Sequence, residues 1–527
     1  MVFTVVSLLV VFFAVMIGVG FYSRRHATDV NGFVLGNRGV GPWLTAFAFG
    51  TSYFSAVIFV GYAGQFGWLF GTAATWAGLG NAFIGSLLAW NVLGRRTRIM
   101  TQHTDSKTMP DFFGKRFDSV NLKIAASAIV FVFLIPYTAS LYNGLSSLFN
   151  IAFNIPYWVV IVVMAVLTGV YVIYGGYMAT AINDFIQGII MLGGIAAVIG
   201  AVINSQGGLL EAMQKLSAVE APGWSGGAFS SMFGPNPEFL LFVVILTSLG
   251  TWGLPQMVGK FYSIKSEKDI SKGTIISTVF AIIVAGGCYF LGGFGRLYTE
   301  SEFLKWNAAH TAPLFDTVVP AMLRTLPDIL IAVVIVLVLS ASMSTLSSLV
   351  LTSSSTLTLD VIKPLSKKEI DDKKQVFIMR IFIVFFIAVS AIVAILKDSF
   401  PGLTFIAQMM GVSWGALAGS FLAPFLYGLY WKKTTKAAVV VSFVWGCALE
   451  IFQLFVSLGA VTLPATGLIH FVFQNSIYSG AIAMLGGLVI VPLVSLVTPK
   501  LDKKMVDDCF ACYEKETKVP QKTALGD

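Results

Sequence analysis

Residues 45–56 read Thr45-Ala46-Phe47-Ala48-Phe49-Gly50-Thr51-Ser52-Tyr53-Phe54-Ser55-Ala56. Glycine and hydroxyl side chains fall in the middle of an apolar stretch, 42–66. A second stretch, 237–259, repeats the pattern with Thr247-Ser248-Leu249-Gly250-Thr251-Trp252-Gly253-Leu254-Pro255. Small and hydroxyl residues inside an apolar helix serve close helix packing or a local unwinding that frees carbonyls and half-helix ends for a ligand. For each stretch alone packing is the stronger reading. Their offset favours unwinding. With the first apolar stretch counted as zero, these are spans 1 and 6. An odd repeat length gives the second copy inverted topology, so the pair predicts a five-plus-five inverted repeat with broken helices 1 and 6.

Composition agrees with a membrane setting. Of 527 residues 56% are hydrophobic and only 11% charged, with a mean hydropathy of +0.83. Soluble domains carry about 25% charge, so a string of soluble domains is excluded, as are a disordered chain, a disulfide-built secreted domain and a nucleic-acid binder. Apolar stretches of spanning length run at 3–22, 42–66, 72–94, 121–150, 155–176, 179–203, 237–259, 270–295, 326–357, 377–396, 401–431, 437–458 and 476–498. Lipid leaves the backbone to satisfy its own hydrogen bonds, so the fold class is all-α: a polytopic membrane protein of thirteen transmembrane helices. The 3–22 stretch is long enough to cross. It has no basic residues before it and no small-residue cleavage site after it, so it reads as a leading helix rather than a cleaved signal.

The expected organisation is one transporter domain over 1–527. It comprises a leading helix and loop (1–40), a first repeat (41–203), a second repeat (237–431), two accessory helices (432–500) and a charged tail (501–527). No nucleotide or soluble domain is expected. Two long loops, 204–236 and 298–325, have room for short surface helices. Basic residues cluster in alternate loops: Arg24, Arg25 and Arg38; Arg95 to Arg116; Lys260, Lys265, Lys268 and Lys272; Lys363 to Lys374; Lys432, Lys433 and Lys436. By the positive-inside rule these loops are cytoplasmic, which puts the N-terminus outside, the C-terminus inside and the protein in the cell membrane. The net charge of +8 therefore encodes topology rather than an acidic partner. Cys288 and Cys447 read as small hydrophobes. Cys509 and Cys512 form a lone CxxC, a weak zinc signal without a second pair.

Span 8 carries Ser340-Ala341-Ser342-Met343-Ser344-Thr345-Leu346-Ser347-Ser348. Ser344, Ser347 and Ser348 share one helix face by their i, i+3, i+4 spacing, and Thr345 sits one step round. Hard cations take several oxygen ligands, and neutral hydroxyls beside unwound carbonyls supply them. The bland use of each hydroxyl is a bond to its own i−4 carbonyl. For the cluster, cation ligation is the stronger reading. Asp184, with Asn183 and Gln187 in span 5, is an acid inside the membrane and so a functional candidate, or an interfacial carboxylate bonded to backbone. Glu450 in span 11 lies outside both repeats and reads as structural or as part of an oligomer interface. No lone basic residue is expected at mid-membrane.

Rival functions lack their motifs. No GxxxxGK[ST] is present for a nucleotide-driven pump. His26, His103, His310 and His470 are scattered, without HExxH or a nucleophile elbow, so no enzyme is expected. A channel or membrane sensor remains the rival of a different class, because broken helices also build pores.

Three segments together carry a resemblance: Phe33-Val34-Leu35-Gly36-Asn37-Arg38-Gly39-Val40-Gly41-Pro42, then Tyr174-Gly175-Gly176 with Asn183-Asp184 and Gln187, then Met343-Ser344-Thr345-Leu346-Ser347. Over roughly residues 5–450 the chain resembles the sodium:solute symporter family. That implies the leucine-transporter fold with an extra leading helix and sodium-coupled symport of a small solute across the bilayer. It also implies a sodium site between spans 1 and 8, formed by the carbonyls of Thr51, Phe54 and Ala341 and the hydroxyls of Ser344 and Thr345. A second sodium site, found in sialic acid carriers of the family, would fall on Asp184, Ser344, Ser347 and Ser348. Proline carriers of the family hold an aspartate where this chain has Tyr53. That departure argues against proline, and the ends of spans 1 and 6 look closer to pantothenate and monocarboxylate carriers. Sodium-coupled symport of an amino acid (proline-like) or a sugar acid is the alternative. A carboxylate substrate would be stabilised by a half-helix N-terminus. Tyr53, Ser55, Asn81, Thr247, Thr251, Trp252 and Gln408 are the candidate substrate contacts. Each has a packing use at least as strong, except Ser55 and Thr251, which border the breaks. The sequence leaves the oligomeric state open.

Overall fold

Burial in this chain is inverted relative to a water-soluble protein. Val10, Val132, Val166, Val384, Val444 and Val489 are among many exposed apolar side chains, whereas Ser340, Ser344, Ser347, Ser353 and Ser354 are fully buried. Water would not tolerate so wide an apolar exterior; hydrocarbon would. The computed structural model describes residues 2–514, apart from 154, 225, 308, 309, 325, 367 and 397–405. Among the described residues the chain is helical and forms no β-strand, only isolated bridges such as Val40 to Ile264. Ten helices are long and apolar enough to cross a membrane. Among the described residues the pair Pro237–Gly253 and Pro255–Ser263, bent by 46° at its break, is an eleventh candidate.

Two helices end in mid-span on the same backbone device. Helix Pro42–Tyr53 stops where Phe54 takes φ −81°, ψ 122°. Helix Pro237–Gly253 stops where Leu254 takes φ −82°, ψ 120°. One extended residue interrupts the hydrogen-bond ladder in each. Pro255 restarts the second at the position where proline's missing N–H is harmless; the first resumes through wide turns over Val57–Tyr62. The glycines that flagged these stretches are not themselves the breaks. A Cβ on Gly50 would lie 2.5 Å from the Phe280 ring, and one on Gly250 would lie 2.7 Å from Trp414. Those glycines let neighbours approach, and the unwinding falls a few residues further on.

The serine-rich helix Asp328–Thr356 packs against Pro42–Tyr53, Val120–Phe153 and Tyr157–Ser205. The last of these is two helices joined at Gly176, whose φ of 52° and ψ of −145° are not helical. A side chain there would sit 2.8 Å from the Phe33 carbonyl oxygen, so only glycine fits. The leading helix Val2–Ser23 packs against the same segment. Helices Ile406–Tyr430, Lys436–Ser457 and Ser476–Val497 pack together. Glu450 points into that packing, fully buried, where a Cβ on Gly415 would come within 2.4 Å of its Oε1. It reaches no outer face of the described residues.

At the basic end, Gly36, Asn37 and Arg38 all take positive φ. This turn aims the Arg38 guanidinium at three backbone carbonyls, donating to Tyr262 at 3.3 Å, Thr101 at 3.2 Å and Ser106 at 2.8 Å. One side chain thus ties the loop before the first broken helix to the end of the second. The long loops carry the short helices Leu209–Ser217 and Val318–Arg324.

Candidate functional site

The break in the first helix leaves carbonyls without helical partners. Phe54 N–H still reaches Gly50 O at 3.2 Å, and Ile58 and Phe59 N–H both turn to Ser55 O at 3.0 and 2.9 Å. The oxygens of Thr51 and Phe54 face the serine-rich helix instead. Ser344 Oγ lies 3.0 Å from Thr51 O and 3.0 Å from Ala341 O. Thr345 Oγ1 lies 3.1 Å from Thr51 O, 3.2 Å from Phe54 O and 3.2 Å from Ala341 O. The five oxygens expected to make the first ion site therefore converge, all on residues with at most 1% exposure.

The electron count of this cluster matters more than its shape. Each hydroxyl has one proton to donate. Two protons serve the two contacts of Ser344 and the three of Thr345, so lone pairs are in excess. A small cation at the centre would satisfy that excess with neutral ligands and no buried carboxylate. The carbonyl end of a half-helix, which carries the negative pole of its dipole, points the same way. Neighbouring hydroxyls do the ordinary thing: Thr51 Oγ1 donates to Phe47 O at 2.8 Å and Ser342 Oγ to Val338 O at 2.8 Å.

The second expected set has a member that sequence reasoning missed. Asp184 is fully buried, and no donor reaches either carboxylate oxygen within hydrogen-bond distance. Its charge is met by Lys260, with Nζ to Oδ2 at 3.6 Å. The same ammonium donates to Ser348 Oγ at 3.0 Å and lies 5.2 Å from the Tyr177 ring centre. Ser348 Oγ in turn meets Ser52 Oγ at 2.7 Å. Ser347 Oγ donates to Ser344 O at 2.9 Å and so faces its own helix. Lys260 was expected in a cytoplasmic loop. It lies instead inside the half-helix Pro255–Ser263 at 3% exposure, which corrects both that placement and the expectation of no buried base. Its apolar followers, Phe261 and Tyr262, both buried, were the available signal that the helix runs on past 259.

A small cavity lies beside the first break. Tyr53, Asn81 and Thr251 line it, with Phe49, Phe54 and Phe280 as apolar walls and Ser86 and Ser277 as a hydroxyl pair 2.8 Å apart that sequence reasoning did not single out. Asn81 Nδ2 has no hydrogen-bond partner among the described residues, nor has the buried Ser55 Oγ at the break. Thr251 Oγ1 is held by Gly85 O at 2.9 Å. Four candidates do not line this cavity: Ser55 lies in the break itself, Thr247 donates to Val243 O, Trp252 Nε1 donates to Ile84 O at 3.0 Å, and Gln408 lies at the start of helix Ile406–Tyr430. A separate cavity of about 480 Å³ reaches Lys260, Ser348 and Tyr177 from the basic end, past Lys107 and Thr356.

The chain matches the description of the sodium:solute symporter family over residues 33–446. It is 30% identical over 514 residues to a sodium/proline symporter of Staphylococcus aureus (strain JH9), covering 94% of this chain and 92% of that protein. It is 27% identical over 441 residues to the osmoregulated proline transporter OpuE of Bacillus subtilis (strain 168), covering 83% and 86%. Its fold is similar to that of a Na+-coupled sialic acid symporter solved in a substrate-bound outward-open state, with a TM-score of 0.71 at 17% identity over 95% of this chain and 99% of that one.

Proposed function

Because the chain belongs to the sodium:solute symporter family, a family of multi-pass membrane transporters, we propose that it imports a small zwitterionic amino acid of the proline type by sodium-driven alternating access. The observation that carries this is the convergence of the Thr51, Phe54 and Ala341 carbonyls with the Ser344 and Thr345 hydroxyls, proposed as the sodium site. Thirteen passes are proposed. To the ten candidate spans, Val57–His103 and Tyr157–Ser205 each add a second pass, turning at Gly71 and Gly176, and the bent pair adds one more. The matched dihedrals at Phe54 and Leu254 support a five-plus-five inverted repeat over 41–203 and 237–431, after a leading helix (1–40) and before two accessory helices (432–500). The basic loops support a cytoplasmic C-terminal tail in the cell membrane.

Ion and solute share one piece of backbone. Thr51 and Phe54 lend carbonyls to the cage, and Tyr53 and Phe54 line the solute cavity. An ion that fixes this break therefore shapes the cavity, and by linkage each ligand raises the affinity for the other equally. Sodium binding ties the first broken helix to the serine-rich helix. The solute then binds in the cavity, the two bundles rock, and sodium leaves toward the basic end. Each charge moved inward is worth about 2.3 kcal/mol per 100 mV.

The named relatives move the choice of solute from pantothenate or a monocarboxylate to proline. Tyr53 in place of the proline carriers' aspartate keeps the carboxylate solutes as a second reading. Purified protein in proteoliposomes, given an inward sodium gradient and radiolabelled proline, pantothenate or short monocarboxylates, should show saturable, sodium-dependent uptake of one of them. Flux that does not saturate, or that potassium supports equally, would overturn the symporter reading in favour of a channel.

A further inference from the structure

Asp184 poses a problem of charge. A carboxylate buried in a membrane bundle needs a counter-charge or several donors, and this one has no hydrogen bond at either oxygen. The family resemblance would fill the place with a second sodium. The chain fills it with its own side chain. Lys260 Nζ stands 3.6 Å from Asp184 and 3.0 Å from Ser348 Oγ, on a residue only 3% exposed. An ammonium supplies one positive charge and three donors, so it neutralises Asp184 and occupies an acceptor that a second ion would need. Two like charges would not share a site this small and dry.

We propose that Lys260 is a tethered cation that occupies the second ion position and limits the protein to one sodium per cycle. The proposal rests on the symporter reading of the five-oxygen cage. The tether has a mechanical side. Lys260 belongs to the half-helix Pro255–Ser263, while Asp184 and Ser348 belong to the helices Tyr157–Ser205 and Asp328–Thr356. The pair thus crosslinks the second broken helix to the two helices around the cage. A sodium ion there would be released each cycle, whereas the ammonium cannot leave. The cavity of about 480 Å³ reaches Lys260, so shortening the side chain would open Asp184, Ser347 and Ser348 to ions from the basic end.

The test is a count of bound radioactive sodium per purified protein at saturation, with proline present and absent. The expected count is one for the wild type, two for Lys260→Ala, and one again for Lys260→Ala with Asp184→Asn. Lys260→Arg should stay at one. In proteoliposomes the sodium-to-solute flux ratio should double in Lys260→Ala, and the Hill coefficient for sodium should rise from one toward two. A wild type that binds two sodium ions overturns the tethered cation, as does a folded Lys260→Ala that still binds one. A wild type that binds none, or whose single ion survives Ser344→Ala with Thr345→Ala at unchanged affinity, overturns the cage and the symporter reading instead. If Lys260→Ala does not fold, the wild-type count still decides.

Discussion

Two polar clusters lie against the serine-rich helix, and they solve opposite problems. The cage of Thr51, Phe54, Ala341, Ser344 and Thr345 is neutral and over-supplied with acceptors. The Asp184–Lys260 cluster is formally charged and already balanced. A neutral cage holds a cation only by many modest dipoles, so binding is reversible and adjustable. A closed ion pair answers to nothing that diffuses in. Transport needs the first property, and the second suits an element that must stay put while its surroundings move. In the proposed mechanism ion exchange belongs to the turn of the helix that carries Ser344 and Thr345, and mechanical linkage to the next turn, at Ser348.

The largest effect should come from breaking the balanced cluster on one side only. Asp184→Ala leaves the Lys260 ammonium buried without a counter-charge, and should lower stability by about 3–5 kcal/mol, read as thermal unfolding in detergent. Asp184→Ala with Lys260→Met should recover most of the loss. A single variant as stable as the wild type would show that the pair is not a closed unit. Breaking the cage is a smaller and different injury. Thr345→Ala removes a hydroxyl that faces three carbonyls, and should raise the sodium concentration for half-maximal uptake at least tenfold, about 1.4 kcal/mol, while sodium-free stability stays close to wild type.

A third pair sharpens the comparison because water reaches it. Asp111 at the basic end accepts from Lys123 at 2.8 Å and lies 3.2 Å from Lys115. Burial pushes its carboxyl upward, but the two lysines outweigh burial and hold its pKa below the ordinary carboxylate value. A depressed acid stabilises the fold above its unfolded pKa, and that contribution disappears as pH falls through the folded value. Asp111→Asn should therefore cost roughly 1 kcal/mol at pH 7, with the gap to wild type closing below pH ~4. A gap that persists under acid would assign Asp111 a packing role. Smallest of all should be Ser347→Ala. Its hydroxyl is spent on Ser344 O, so sodium activation should change less than about twofold, within one ordinary hydrogen bond. A tenfold loss would mean Ser347 turns toward an ion during the cycle.

Much of this arrangement is visible in the chain itself, and the misses have physical causes. The gap of five spans between two glycine- and hydroxyl-rich stretches pointed to paired breaks, and the spacing within 340–348 pointed to a ligating face. The breaks fall at Phe54 and Leu254 rather than at the glycines, because glycine in these helices relieves crowding by Phe280 and Trp414, a need that only tertiary packing creates. Lys260 escaped because loop-charge bias treats a lysine near a span end as a topology marker. Whether it points to water or into the bundle depends on where the half-helix restarts after Leu254. Gln408 and Thr247 failed as cavity residues for a related reason: a polar side chain on an apolar helix announces itself, but its direction is set by neighbours from far along the sequence.

Arg38 grips three carbonyl oxygens and no side chain except the distant carboxylate of Asp105 at 3.9 Å. Its clasp is therefore indifferent to which amino acids occupy positions 101, 106 and 262. Natural variants should drift at those three places without loosening the loop, while position 38 itself stays fixed. A lysine there, with a single charged nitrogen instead of a forked guanidinium, could not hold all three at once.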